Sequence, residues 1–187
     1  MICQGCHLVA GSFLCERCRR DLRPAPERIL QGGIRVVAAF EHVGVARDLV
    51  LGLKYRGLTY FADLVVETIA RRALALPVVP VPRTWSRQIR YGIDPAREIA
   101  IRLARAHGSP MLDLLSPPFH TSRRAGGDHH RPPPRFGMRR PPEGRIVLVD
   151  DVVTTGATIV SAASVLGPGR IALVIAANLA DTVSSQR

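Results

Sequence analysis

The chain has 187 residues, 47% of them apolar and 22% charged, with a formal net charge of +11. That apolar share supports a buried core and excludes wholesale disorder. No apolar run approaches the roughly 20 residues of a membrane-spanning helix, and the opening Met1-Ile2-Cys3 lacks the basic-then-apolar pattern of a secretory signal. The expected setting is therefore the cytosol. Of the 26 basic side chains, Lys54 is the one lysine. Such a balance suits polyanionic partners, nucleic acid or phosphorylated small molecules, although arginine spread through an Ala-, Gly- and Pro-rich chain is also a compositional trait.

The four cysteines fall in residues 1–22 as Cys3-x2-Cys6 and Cys15-x2-Cys18. A reducing cytosol disfavours disulfides. Each pair can grip one side of a tetrahedral ion through thiolates, so a four-cysteine zinc knuckle or ribbon is expected. The segment holds too little apolar material to fold without metal. His7 is a rival ligand that the fourth cysteine makes unnecessary. Arg17, Arg19, Arg20 and Arg23 cluster beside the module. It either touches nucleic acid or a partner protein, or clips onto the following domain.

Residues 23–33, with Pro24, Pro26, Gly32 and Gly33, read as a linker to a domain over 34–180. Arg35–Phe40 reads as a strand. Val45–Lys54 and Thr59–Leu76 read as helices by their 3.6-residue apolar spacing. Val78–Pro82 reads as a short proline-ended strand. Asp94 and Pro95 supply an N-cap and first residue for a third helix, with Ala96, Ile99, Ala100, Leu103 and Ala104 inward. Met111–Leu115 is a further candidate strand. Prolines and glycines from Pro117 to Pro142 forbid regular structure over most of that stretch. A buried strand, Arg145–Val149, a helix, Gly156–Leu166, and a last strand, Ile171–Ala177, follow, and the tail from Asp181 reads as frayed. This alternation predicts an α/β fold, a mainly parallel sheet with helices on both faces and ligands at the carboxyl ends of its strands.

The sharpest motif is Val149-Asp150-Asp151-Val152-Val153-Thr154-Thr155-Gly156-Ala157-Thr158. Successive N–H groups in the turn and at the helix start form an anion nest. Thr154, Thr155 and Thr158 add hydroxyl donors, and Gly156 lets backbone approach a phosphate. Asp150 and Asp151 can accept hydrogen bonds from a vicinal diol or lie beside hydrated Mg²⁺. Phosphate at the turn and diol at the acids together describe a ribose 5-phosphate.

This segment resembles the phosphoribosyl diphosphate (PRPP) signature of type I phosphoribosyltransferases. The resemblance implies that Asp150 and Asp151 hold the ribose hydroxyls, that Thr154 to Thr158 wrap the 5-phosphate, and that Mg²⁺ accompanies PRPP beside the two acids. Nearly the whole chain resembles the ComF family, associated with competence for transformation. The cysteine pairs, Lys54 with Gly57, Val79-Pro80-Val81-Pro82, Arg90-Tyr91-Gly92-Ile93-Asp94 and Phe136 carry that likeness. The family usually has Arg-Gly-Phe-Asn-Gln where this chain has Arg90 to Ala96.

Val79-Pro80-Val81-Pro82-Arg83 stands where such enzymes hold diphosphate, so Arg83 and local N–H groups are candidates for it, and a non-proline cis peptide is expected there. A lone lysine suggests a position that a guanidinium cannot serve; Lys54 is expected at phosphate or at the edge of the site. Residues 117–140, with His120, Arg123, Arg124, His129, His130 and Arg131, are a candidate cover, anchored by Phe136. Two functions follow: transfer of a phosphoribosyl group to an acceptor, or a non-catalytic PRPP- or nucleotide-sensing module acting on single-stranded DNA or competence proteins. The sequence offers no evident general base, and few aromatics for base stacking.

Overall fold

The computed structural model describes residues 1–118 and 134–180. The chain begins with the cysteine module and its short helix α1 (Glu16–Arg20), then β1 (Arg28–Ile29) and β2 (Arg35–Glu41). Helices α2 (Gly44–Arg56) and α3 (Tyr60–Ile69) precede β3 (Val78–Pro80), followed by α4 (Trp85–Tyr91) and α5 (Pro95–His107). The two-residue strands β4 (Leu115–Ser116) and β5 (Gly137–Met138) pair antiparallel with each other. Then come β6 (Ile146–Val153), α6 (Ala157–Leu166) and β7 (Ile171–Leu179).

The main sheet has the order β1-β2-β7-β6-β3. β2, β7, β6 and β3 run parallel, and β1 is an antiparallel edge. Both faces are covered, as an all-parallel core requires, and the period-2 alternation of the strands sorts their side chains between two cores. Val37, Ala39, Val147, Val149, Leu173 and Ile175 face the side of α2, α3 and α5. Val36, Ala38, Ile146, Leu148, Val174 and Ala176 face α6. On α5 the five expected inward residues are all buried. The fold is thus of the expected α/β class, a mostly parallel sheet with helices on both faces and a four-cysteine N-terminal module.

Several boundaries differ from expectation. The second helix ends at Ile69 and passes into a 3-10 turn, Ala70–Arg72; Ala70, Ala73 and Leu76 still pack against the core, while Leu74 is exposed. Met111 makes only an isolated bridge to Val78, and the chain then turns away to form β4. Residues 23–33 do not run free: β1 pairs with β2, Pro24 bridges Phe40, and Ala25 and Leu30 are buried. No cis peptide occurs among the described residues, so the 79–83 turn is trans throughout. A non-proline cis bond costs about 2.5–4 kcal/mol. In the trans form the Val81 N–H reaches Val149 O (2.8 Å) and the Arg83 N–H reaches Asp94 Oδ2 (3.1 Å).

The cysteine module is welded to the domain. Cys3, Leu14 and Cys18 belong to the same apolar core as α2, α3 and α5. The Phe13 and Tyr60 rings lie 4.3 Å apart. The module thus packs against the helices of the domain rather than standing apart from it.

Candidate functional site

A cleft of about 580 Å³ opens at the carboxyl ends of β6 and β3. β6 supplies Asp150, Asp151 and Val152, the first turn of α6 supplies Thr158, and the segment after β3 supplies Val81, Pro82, Arg83 and Thr84. Lys54 and Tyr55 enter from the last turn of α2, and Phe136 with Pro118 and Pro134 from the far side. The expected residues Lys54, Arg83, Asp150, Asp151, Val152 and Thr158 are thus brought together. Val153 and Gly156 are buried, whereas Thr154, Thr155 and Ala157 are exposed on the turn and do not line the cleft. The candidate cover residues His120 to Arg131 and the tail from Asp181 lie outside the described residues.

The two acids occupy different environments. β6 extends past Val149, so Asp150 is still within the ladder, opposite Ala176 of β7. Its side chain is buried, and its Oδ1 accepts the Asp151 N–H at 2.8 Å. Burial, and next the Asp151 carboxylate, push the Asp150 carboxyl up to about 8, against the Asp151 N–H and the Lys54 ammonium. Asp151 is less deeply buried, its side chain 16% exposed, and pairs with Lys54, Oδ1 to Nζ 3.0 Å.

Arg83 is a clasp as well as a lining residue. Its Nη1 donates to the carbonyls of Lys54 and Ile93, both at 3.0 Å. Its guanidinium lies 5.8 Å from the Tyr55 ring centre and 5.5 Å from that of Tyr91. Asp94 caps α5 by accepting from the Arg97 N–H and also takes the Arg83 N–H. Burial pushes its carboxyl above the usual range, against those two donors.

Sequence reasoning missed α4, which brings Ser86, Arg87, Arg90 and Tyr91 to the cleft. None of its residues is buried, so no apolar period marked it. Gly92 in the left-handed conformation (φ +66°) was its one legible signal. Also unforeseen, Arg28 of β1 donates to the carbonyls of Thr154 (2.7 Å) and Ala180 (3.0 Å), bracing the turn from the sheet edge.

The four cysteine Sγ atoms lie within 4.8 Å of one another, with Cys6 and Cys15 Sγ 3.8 Å apart. A tetrahedral thiolate site with Zn–S near 2.3 Å has edges of about 3.8 Å, so the residues fit zinc. Burial raises the Cys3 thiol, but N–H groups of Cys15, Cys6 and Gly5 outweigh it and bring the group down to about 6. Among the described residues no other group of three or more His, Cys, Asp or Glu side chains could hold a metal.

The chain matches no protein-family profile and no curated protein. Among solved structures it is similar to orotate phosphoribosyltransferase from Aeropyrum pernix, at 18% identity over 89% of this chain and 91% of that one, with a TM-score of 0.36. No helix among the described residues is long and apolar enough to cross a membrane.

Proposed function

We propose that the cleft binds PRPP and that the protein is a ComF-like, phosphoribosyltransferase-type protein of the cytoplasm, transferring the phosphoribosyl group to an acceptor. The observation that supports this is the meeting of Asp150, Asp151 and Thr158 with Lys54 and Arg83 in one cleft at the strand ends. In this reading Asp150 and Asp151 accept the ribose hydroxyls. The first-turn N–H groups of α6, which have no intrahelical acceptors, and the hydroxyl of Thr158 take the 5-phosphate, with Thr154 and Thr155 on the exposed turn beside it. Arg83 and Lys54 stand on the diphosphate side. The C1–O bond to diphosphate breaks, with the electron pair leaving on the diphosphate, a bond from C1 to the acceptor nucleophile forms with inversion, and the acceptor's proton passes to solvent water. Mg²⁺ carried by the diphosphate supplies charge neutralisation of the leaving group.

The test is diphosphate release from PRPP with Mg²⁺ and a panel of nucleobases, against an Asp150→Asn, Asp151→Asn control. Release above that control supports transfer. PRPP binding without release on any acceptor favours the second reading, a non-catalytic sensing module acting on single-stranded DNA or competence proteins. The observation behind that second reading is the exposed row Arg17, Arg19 and Arg20 on α1, within a chain of net charge +11. Oligonucleotide titration at several salt concentrations tests it, since phosphate contacts make affinity fall steeply with salt.

A further inference from the structure

We propose that Lys54 is the resident counter-ion of the acid pair, so that the cleft takes a ribose phosphate with no divalent cation bound to its own carboxylates. This inference rests on the reading of the cleft as a ribose-phosphate site and names what neutralises it. Lys54 Nζ stands 3.0 Å from Asp151 Oδ1, with both side chains largely covered at 19% and 16% exposure. The other acid, Asp150, lines the cleft but is itself buried, and one of its oxygens already holds the Asp151 N–H. A metal ion at these carboxylates would have to displace an ammonium that the fold holds in place.

That hold is specific. Lys54 lies in the last turn of α2, which ends on Gly57 in the left-handed conformation, and its own carbonyl accepts Arg83 Nη1 at 3.0 Å. An ammonium has three N–H donors. With one on Asp151 and no further acceptor among the described residues, the others can turn to ligand oxygens. A compact ammonium can sit between a carboxylate and a sugar phosphate in this way, whereas a planar guanidinium would spread across both. This accounts for a single lysine surviving among 26 basic residues.

Ribose 5-phosphate is the suitable probe, because the diphosphate of PRPP brings its own Mg²⁺. Calorimetric titration of the zinc-loaded full chain in Mg²⁺-free buffer without chelator and in excess Mg²⁺ should give affinities within about twofold of each other. Lys54→Met should bind roughly tenfold more weakly without Mg²⁺ and recover part of that loss in Mg²⁺; Lys54→Arg, which keeps the charge, should remain insensitive to Mg²⁺. A merely structural lysine would leave the metal dependence unchanged. Wild-type binding that appears only with Mg²⁺ would overturn the inference alone, and that arm needs no variant to fold. Failure of the wild type to bind in either buffer would sink the ribose-phosphate reading, and the inference with it.

Discussion

Leu30 fills the space in which a side chain on residue 156 would begin. A Cβ built on Gly156 would lie 2.6 Å from Leu30 Cδ2 and 2.7 Å from Cδ1, and the residue holds φ +82°. The glycine at the turn therefore serves a left-handed backbone and a close approach from the β1 segment, rather than room for phosphate alone. Gly156→Ala should destabilise the fold by about 1–3 kcal/mol, combining left-handed strain with overpacking. Urea denaturation checks the value. Adding Leu30→Ala should relieve the clash portion and leave the strain, so the two substitutions should not be additive.

The cysteine module has a comparable pinch. A Cβ on Gly5 would stand 2.9 Å from Cys18 Sγ and 3.0 Å from Val45 Cγ1, between a ligand atom and α2. Gly5→Ala should loosen zinc by roughly tenfold or more, in line with the sensitivity of metal sites to neighbouring groups. Competition with a chromogenic chelator measures it. Unchanged zinc affinity would mean that Val45 and the thiolate yield without cost.

Because Cys3, Leu14 and Cys18 share the core of α2, α3 and α5, metal removal should not melt the module alone. Chelation should lower the stability of the whole domain in a single transition. Calorimetry with and without chelator decides this. Two separate transitions, with the later one unmoved by chelation, would contradict it.

Asp150 carries a stability cost with a defined pH window. Its carboxyl is raised from 3.8 to about 8. The folded state therefore binds more protons than the unfolded state between those values, and stability falls as pH rises across that window, levelling off above it. Asp150→Asn removes the contribution. The variant should match the wild type near pH 4 and exceed it in melting temperature near pH 8, while losing ligand affinity. A wild type no less stable at pH 8 than the variant would contradict the burial argument.

The parts of this molecule legible in the sequence are those where one physical cause dominates. The apolar run Ile146–Val149 followed by acids, threonines and Gly156 marked the strand, turn and helix of the site. Asp94-Pro95 marked α5, whose cap the Arg97 N–H completes. The cysteine spacing marked a cluster that the fold brings together. What escaped is held by tertiary partners rather than local pattern. α4 buries none of its residues, yet Tyr91 meets Tyr55 edge-on at 4.8 Å and the helix lines the cleft. β1 is two residues long in a proline- and glycine-rich stretch, too short for any period, and is fixed by pairing with β2 and by Arg28 reaching Thr154. Arg83 was legible as a cation beside the site, but not as a clasp on the carbonyls of Lys54 and Ile93.

Calorimetric titration of PRPP into the zinc-loaded protein, beside the Asp150→Asn, Asp151→Asn variant, bears most directly on the cleft. Saturable one-to-one binding by the wild type should weaken by at least about 2–3 kcal/mol in the variant, the scale of losing charge-assisted hydrogen bonds. Equal affinity of the two proteins, or no binding by a folded wild type, would contradict the assignment of these acids to a sugar phosphate.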